Sequence, residues 1–285
     1  MRYRIPASIA VLALLLIPAL AAHAADGTFD RTLHVSGSVS LSVHTGSGNI
    51  HVTPGPGSEI HIIGHVHANG WSMGSSLEER VQRVVNHPPI EQDGSSVTIG
   101  GQHEDWMNNI SIDYDIAAPR GTQLQADSGS GDLRLSDLGG PLRAETGSGN
   151  IQASGFTGQV VLHSGSGDIH ADLQSANDVN ARSGSGEIQV RGVVGTLFAE
   201  TGSGNIEVGG RPVGGWQLRS GSGDITLNTG NAGFNLDAST GSGDVESDPT
   251  ISTHGTLGRH RVDGAVNGGG PTVRVETGSG DIRIH

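Results

Sequence analysis

The chain has 285 residues, of which 47 are glycine, and its formal net charge is −13. It contains no cysteine and no lysine, so all 16 basic residues are arginine. These counts exclude a disulfide scaffold and a cysteine-based zinc or iron–sulfur site, and the acidic balance argues against a nucleic-acid partner. Aromatic residues make up only 3% of the chain. One thick globular core would therefore be poorly filled, whereas a stack of thin layers needs few aromatic residues.

Residues 1–24 have the pattern of a secretory signal peptide. Arg2 and Arg4 precede an apolar run from Ile9 to Ala22, and Ala22-His23-Ala24 matches a cleavage site. The run is shorter than the roughly 20 residues of a membrane span. We therefore expect an exported mature chain that begins at Ala25 and has no transmembrane anchor, placed in the periplasm, on the outer surface or outside the cell.

Residues 25–122 predict an N-terminal β region with one short helix at about residues 76–86. Strand-like alternation covers residues 58–68, 96–99 and 110–116. Leu77, Val81, Val84 and Val85 have the spacing of one helix face, and two prolines follow. We expect this helix to cover the first coil of the repeats or its sheet edge, and no comparable cap is evident at the C-terminal end.

Residues 123–285 are predicted to form repeats that are continuous with the preceding region. The motif [Ser/Thr]-Gly-Ser-Gly-[Asp/Asn/Glu]-[Ile/Leu/Val] occurs nine times. Its first glycines are Gly46, Gly129, Gly147, Gly165, Gly184, Gly202, Gly221, Gly241 and Gly278. From Gly129 onward the spacings are 18, 18, 19, 18, 19, 20 and 37 residues. The last value is interpreted as two periods, with a degenerate copy around residues 250–268.

The apolar positions around each motif indicate that the chain turns a corner at Gly-Ser-Gly. Apolar residues stand five and three positions before the first glycine, and another stands four positions after it, as in Leu142, Ala144 and Ile151. The two sets have opposite parity, so the inward face switches at the glycines. With a third apolar point in many repeats, the pattern predicts an all-β, single-stranded β-solenoid with roughly triangular coils of 18–19 residues. Strand twist favours right-handed winding.

Three features together resemble a known bacterial family. They are residues 109–121, the serial Thr-Gly-Ser-Gly-Asn-Ile units and residues 266–282. These stretches are similar to the exported putative-adhesin family of unknown function with β-strand repeats, also called toastrack-like. The resemblance extends from about Phe29 to Ile284. It implies a β-solenoid at the cell envelope with no assigned catalytic residues.

A column of acidic or amide residues stands three positions after each first glycine. Its members are Asn49, Asp132, Asn150, Asp168, Glu187, Asn205, Asp224, Asp244 and Asp281. One interpretation is calcium binding, since carboxylate oxygens are calcium ligands, and the candidates are the stacked pairs Asp168/Glu187 and Asp224/Asp244. The favoured interpretation is a turn in which these side chains accept backbone hydrogen bonds, so no metal site and no cofactor is assigned.

The fourteen histidines and the Ser/Thr residues before each motif are the other candidates. His61, His65 and His67 share one strand face, where transition-metal binding is conceivable but a solvated sheet face is the favoured interpretation. The Ser/Thr residues have inward parity, which favours hydrogen bonds to a neighbouring coil over display to a ligand.

The uniform repeats favour a non-enzymatic, adhesin-like binding or scaffolding protein, because an active site needs several distinct groups placed together. The expected partner is an envelope component, a glycan or another protein. The alternatives are an envelope-stress accessory or a calcium-stabilised structural protein and, less favoured, a polysaccharide-active β-helix enzyme.

Overall fold

The computed structural model describes residues 26–68, 76–101 and 109–285, without the side chains of Ser76, Asn177 and residues 253–257. The predicted signal peptide lies outside these ranges. Within them the chain forms 22 β-strands and one helix, and all the strands join one continuous sheet. The predicted all-β solenoid is confirmed. No helix in the described ranges is long and apolar enough to cross a membrane.

The N-terminal region contains the predicted helix and strands and two further strands. In chain order the elements are β1 (Asp26–His34), β2 (Ser40–Thr45), β3 (Ile50–Pro54), β4 (Glu59–Ala68), α1 (Ser76–Asn86), β5 (Ile90–Asp93), β6 (Ser96–Ile99) and β7 (Ile110–Ala118). Strands β1 and β5 are the two that the sequence does not predict.

The remaining strands form the repeats and the C-terminal end. The first group is β8 (Gln123–Ser128), β9 (Leu133–Ser136), β10 (Leu142–Thr146), β11 (Ile151–Ser154), β12 (Gln159–Ser164), β13 (Ile169–Ser183), β14 (Ile188–Thr201) and β15 (Ile206–Ser220). The second group is β16 (Ile225–Asn228), β17 (Phe234–Thr240), β18 (Val245–Ser247), β19 (Ile251–Leu257), β20 (Arg261–Val266), β21 (Thr272–Thr277) and β22 (Ile282–Ile284).

Each coil contributes one strand segment before the Gly-Ser-Gly corner and one after it. We call the stack of segments before the corner the first wall and the stack after it the second wall. Neighbouring coils pair in parallel and in register, as in Leu124–Leu142–Val160 on the first wall and Leu133–Ile151–Ile169 on the second. The long strands β13, β14 and β15 also pair along a third side of the coil. Right-handed winding stays a prediction.

The core is a set of aligned columns of small aliphatic side chains. The nine residues that stand five positions before the first glycine are at most 3% exposed. Ile50 and the other residues four positions after each first glycine are equally buried, with one exception. Val245 belongs to the last coil of the stack and is only partly covered. Each layer is closed by its neighbours, so burial requires few aromatic residues.

The corner glycines are required by the close approach of neighbouring coils. A Cβ atom on Gly149 would collide with the backbone carbonyl oxygen of Gly131, and one on Gly131 would collide with that of Gly48. The φ angle is not positive at Gly131 or Gly149. Space between backbones, rather than left-handed conformation, therefore selects glycine at this position.

The N-terminal end is closed by strands that return to the stack. The first motif forms a coil in which β2 pairs with both β8 and β6, and β3 pairs with both β9 and β7. Antiparallel strands β4 and β1 extend the second wall beyond β7. Helix α1 packs on β1 and β4 with Val81 and Val84 buried. It lies over the added sheet, as the sequence predicts.

The C-terminal end differs from the predicted arrangement in two ways. Strands β21 and β22, which carry the last motif, lie between the coils of Gly221 and Gly241, because β21 pairs with β15 and β17 and β22 pairs with β16 and β18. Stacking order therefore departs from chain order.

The expected degenerate coil at residues 250–268 is wrong. These residues form antiparallel strands β19 and β20, and β20 pairs antiparallel with β17. The prediction of an uncapped C-terminal end is therefore wrong as well. The 37-residue spacing contains a capping hairpin, so it is not a second period of the stack.

Candidate functional site

A ladder of buried hydroxyls joins the coils at every corner. Thr146 Oγ1 donates to the carbonyl oxygen of Gly131 in the neighbouring coil at 3.0 Å and accepts from the backbone N–H of Gly149 in its own coil at 3.1 Å. Ser128 and Ser164 make the equivalent pair of bonds. The inward orientation predicted for these residues is confirmed. They are structural groups and are not displayed to a ligand.

The acidic and amide column forms a second ladder outside the corner. Asn150 Oδ1 accepts from the backbone N–H of Asp168 at 2.9 Å, and Asp168 Oδ1 accepts from that of Glu187 at 2.8 Å. The bonds join neighbouring coils, whereas the predicted bonds lay within each turn. Glu187, whose side chain is one methylene longer, makes no such bond among the described residues. Asp and Asn serve equally well because either supplies the acceptor oxygen.

The four calcium candidates are not brought together. Asp168 and Glu187 lie on neighbouring coils, but Asp281 lies between Asp224 and Asp244, because the last motif is inserted there. The expected stacked pair Asp224/Asp244 is therefore wrong. In the described part of the chain, no group of three or more His, Asp or Glu side chains is arranged to hold a metal ion.

Arginines neutralise the C-terminal end of this column. Arg283 contacts Asp224 at 3.0 Å and Asp281 at 2.6 Å. The backbone N–H of Asp281, followed by Arg283, lowers the pKa of the Asp224 carboxyl. The hydrogen bond from Arg259, 2.6 Å away, likewise lowers the pKa of Asp244. Asp168 and Glu187 lack such a partner in the described residues, so they alone remain as calcium candidates.

The histidines of β4 pair with aspartates of the adjacent strands. His61 contacts Asp30 at 2.8 Å, His65 contacts Asp115 at 3.2 Å, and His67 contacts Asp26 at 3.0 Å. All three imidazoles are about two-fifths exposed. The arrangement is the solvated sheet face that the sequence favours, and exposed pairs of this kind contribute little to stability.

The outward side of the first wall is the candidate interaction surface. We call it the outer face and define it by the side chains two, four and six positions before each first glycine. In stacking order, the column at two positions before is His44, Asp127, Glu145, His163, Arg182, Glu200, Arg219, Glu276 and Ser239. Opposite charges on neighbouring coils form ion pairs, including Arg219–Glu276 at 3.1 Å and Arg182–Glu200 at 3.9 Å.

Two grooves follow this column beside the glycine corners. The first encloses about 660 Å³ and is bounded by the His44–Asp127 pair, by Arg143 and by Ile112 and Tyr114 at its N-terminal end. Burial raises the pKa of the Tyr114 hydroxyl, which therefore stays protonated. A second groove of about 510 Å³ meets the first at His163. Together they follow the outer face along the stack.

The family follows from the same repeat pattern. The model of the Toastrack family, DUF4097, matches residues 36–285, which include every motif copy. The chain belongs to the Toastrack family. The resemblance noted from the sequence is thereby confirmed. No curated protein matches the chain.

Two solved structures match this Toastrack chain at low identity. A putative cell adhesion protein from Clostridium sporogenes is 14% identical, with 90% of this chain and 99% of that chain covered and a TM-score of 0.29. A putative adhesin from Bacteroides fragilis is 11% identical, with 91% and 97% covered and a TM-score of 0.31. At these TM-scores neither neighbour defines a site on this chain.

Proposed function

We propose that this Toastrack protein is a non-enzymatic, exported, adhesin-like binding or scaffolding module of the bacterial cell envelope. The observation that carries the proposal is the outer face, which presents ion pairs and grooves in fixed register across nine stacked coils. Solenoids commonly bind through such extended surfaces. The sequence of residues 1–24 supports export.

The non-enzymatic part rests on how the polar groups are used. On the outer face most charged side chains pair with one another, and the corner hydroxyls are occupied by inter-coil hydrogen bonds. General acid–base chemistry on a polysaccharide needs two carboxyl groups poised in one groove. The described grooves repeat the same paired charges instead.

A cross-linking pull-down from the native bacterial envelope tests the proposal. The double variant Arg182→Glu and Arg219→Glu reverses two charges of the outer face. The matched control, Arg134→Glu and Arg191→Glu, reverses two exposed charges of the second wall. We expect the wild type and the control to capture the same envelope component and the outer-face variant to lose it.

Two results would contradict this proposal. If the wild type captures no envelope component, the chain is not a binding module. If the purified protein cleaves a polysaccharide by hydrolysis or elimination, the non-enzymatic assignment fails. Circular dichroism of each variant separates loss of binding from loss of the fold.

A further inference from the structure

A depression on the outer face lies toward the C-terminal half of the stack and shares three coils with the second groove. It encloses about 540 Å³ over the coils that contain Asp178, Thr196, Gly215, Thr272 and Asp237. Its floor is formed by the inward column of the first wall, including Leu197 and Trp216. The side chains around it come from the outward columns four and six positions before each first glycine.

Phe198 is the aromatic wall of this depression. Five other aromatic side chains in the described ranges are buried, namely Phe29, Tyr114, Phe156, Trp216 and Phe234. Phe198 instead occupies an outward position and is partly exposed, in register between Asn180 and Gln217. The guanidinium of Arg182 lies 4.7 Å from the ring centroid. Arg182 lies over one face of the ring and does not line the depression.

Gly215 leaves the depression open because it has no side chain. The packing around it would accept a larger residue. A Cβ atom at this position would meet only the carbonyl oxygen of Thr272, at 3.7 Å, which is ordinary contact. The corner glycines other than Gly46 differ, because a Cβ there would overlap a neighbouring backbone. The missing side chain therefore leaves room beside Phe198 that a larger residue would fill.

The rim carries hydrogen-bonding groups with little net charge. The Asn180 side chain has no hydrogen bond to another described residue, so its amide is available to a ligand. Asp178 accepts from the Thr196 hydroxyl at 2.8 Å and retains further acceptor capacity. Asp237 is paired with Arg274 at 2.9 Å and with Arg261 at 3.3 Å. Because these arginines are already paired and Asp178 carries a further negative charge, the rim suits a neutral ligand rich in hydroxyls.

We propose that this depression binds one neutral hexopyranose ring of a glycan, with a C–H face of the sugar on Phe198 and its hydroxyls on Asn180 and Asp178. The C–H groups of a sugar ring carry partial positive charge, and the face of an aromatic ring is negative. Pockets with an apolar surface and a few placed polar groups are typical of small-molecule sites. This assignment rests on the proposed binding function and names the ligand class.

The assignment is tested by titrating the full mature chain with cellohexaose, maltohexaose and chitohexaose. NMR spectra recorded during each titration report binding. The indole N–H of Trp216 donates to the Gly195 carbonyl oxygen at 2.9 Å beneath the floor, which makes its resonance a local reporter. Phe198→Ala removes the aromatic wall, and Gly215→Val fills the depression. Val161→Ala is the matched control, since Val161 is an outward residue of the same column but does not line the depression.

We expect at least one of these hexasaccharides to shift the Trp216 signal and to bind at least tenfold more weakly to both depression variants. The control should bind like the wild type, and the anionic hexagalacturonate should not bind. Failure of all three neutral sugars, or equal binding by the variants, overturns the assignment. If the envelope pull-down then captures a protease-sensitive partner that Phe198→Ala loses, the ligand is a polypeptide and the proposed function still stands. A pull-down in which the wild type captures nothing would contradict the proposed function as well.

Discussion

At the scale of single residues, the second glycine and the hydroxyl residue of each motif act as one unit. The glycine lets two backbones approach, and the hydroxyl from the next coil then reaches the glycine carbonyl, as Thr146 reaches Gly131. The sequence shows both residue types and their spacing. It also shows their inward parity, which is why the hydroxyl ladder was predictable.

Gly149→Ala tests the close approach. The new methyl group would overlap the carbonyl of Gly131 and force the coils apart. We expect the free energy of unfolding to fall by about 1–3 kcal/mol, as for other overpacked sites. Urea denaturation measures the change.

Gly46→Ala is the matched control for this substitution, because nothing lies within 4 Å of a Cβ added at Gly46. Its effect should stay within about 0.5 kcal/mol. Equal destabilisation by the two variants would show that the turn preference of glycine, rather than the contact between coils, explains why glycine occupies the corners.

Asp224→Asn tests the electrostatic part of the outer ladder. The pKa of Asp224 is lowered in the folded protein, first by the Asp281 N–H and then by Arg283. A carboxyl with a lowered folded-state pKa stabilises the fold above its ordinary value of 3.8, and this stabilisation is lost as the pH falls through the folded-state pKa. Asparagine keeps the acceptor oxygen, as Asn150 does, but loses the charge.

The variant should therefore show a weaker loss of stability below about pH 4 than the wild type. Thermal melts between pH 2 and pH 7 follow the difference. Asp93→Asn, an exposed carboxyl at the end of β5, controls for the loss of one negative charge. Parallel pH profiles for Asp224→Asn and the wild type would contradict the expectation.

At the scale of elements, the pairing partners of the last motif are the main finding. Strands β21 and β22 fill the space between β15/β16 and β17/β18, so the coil of Gly241 and the capping hairpin attach to the stack through them. In a stack that followed chain order, the last strands would be the most dispensable. Here they hold the end in place.

Deletion of residues 271–285 tests this attachment. We expect β17, β19 and β20 to lose protection against amide hydrogen exchange, because their connection to β15 and β16 is removed. Strands β8 to β12 lie several coils away and serve as the internal control, with protection retained. Retained protection in β17, β19 and β20 would argue against the insertion.

At the scale of the whole molecule, the acidic column is a chain of hydrogen bonds and ion pairs along the stack. Backbone N–H groups and arginines contact most of its carboxylates, and the two acids without an arginine partner in the described chain, Asp168 and Glu187, are too few for the six to eight oxygen ligands of calcium. The non-metal role stays a prediction.

A thermal melt with calcium and with chelator examines it. We expect the melting temperature to be the same in both. A rise with calcium that disappears in Asp168→Asn would instead assign an ion to Asp168 and Glu187. Asp93→Asn again controls for the change in net charge.

The sequence by itself determined the layered core, the corners, the inward hydroxyls and the capping helix, because each depends on local parity and on residue size. Strand neighbours beyond the adjacent repeat were decided only by the tertiary structure. The motif of Gly278 has the same inward residues as every other copy, so its pattern fits any position in the stack equally well. Only the folded chain, with a hairpin in residues 251–266 that turns β21 back beside β15, selects that position. The same holds for the depression beside Phe198, since the parity of one strand reveals an outward ring but not the open space left by Gly215 on the next coil.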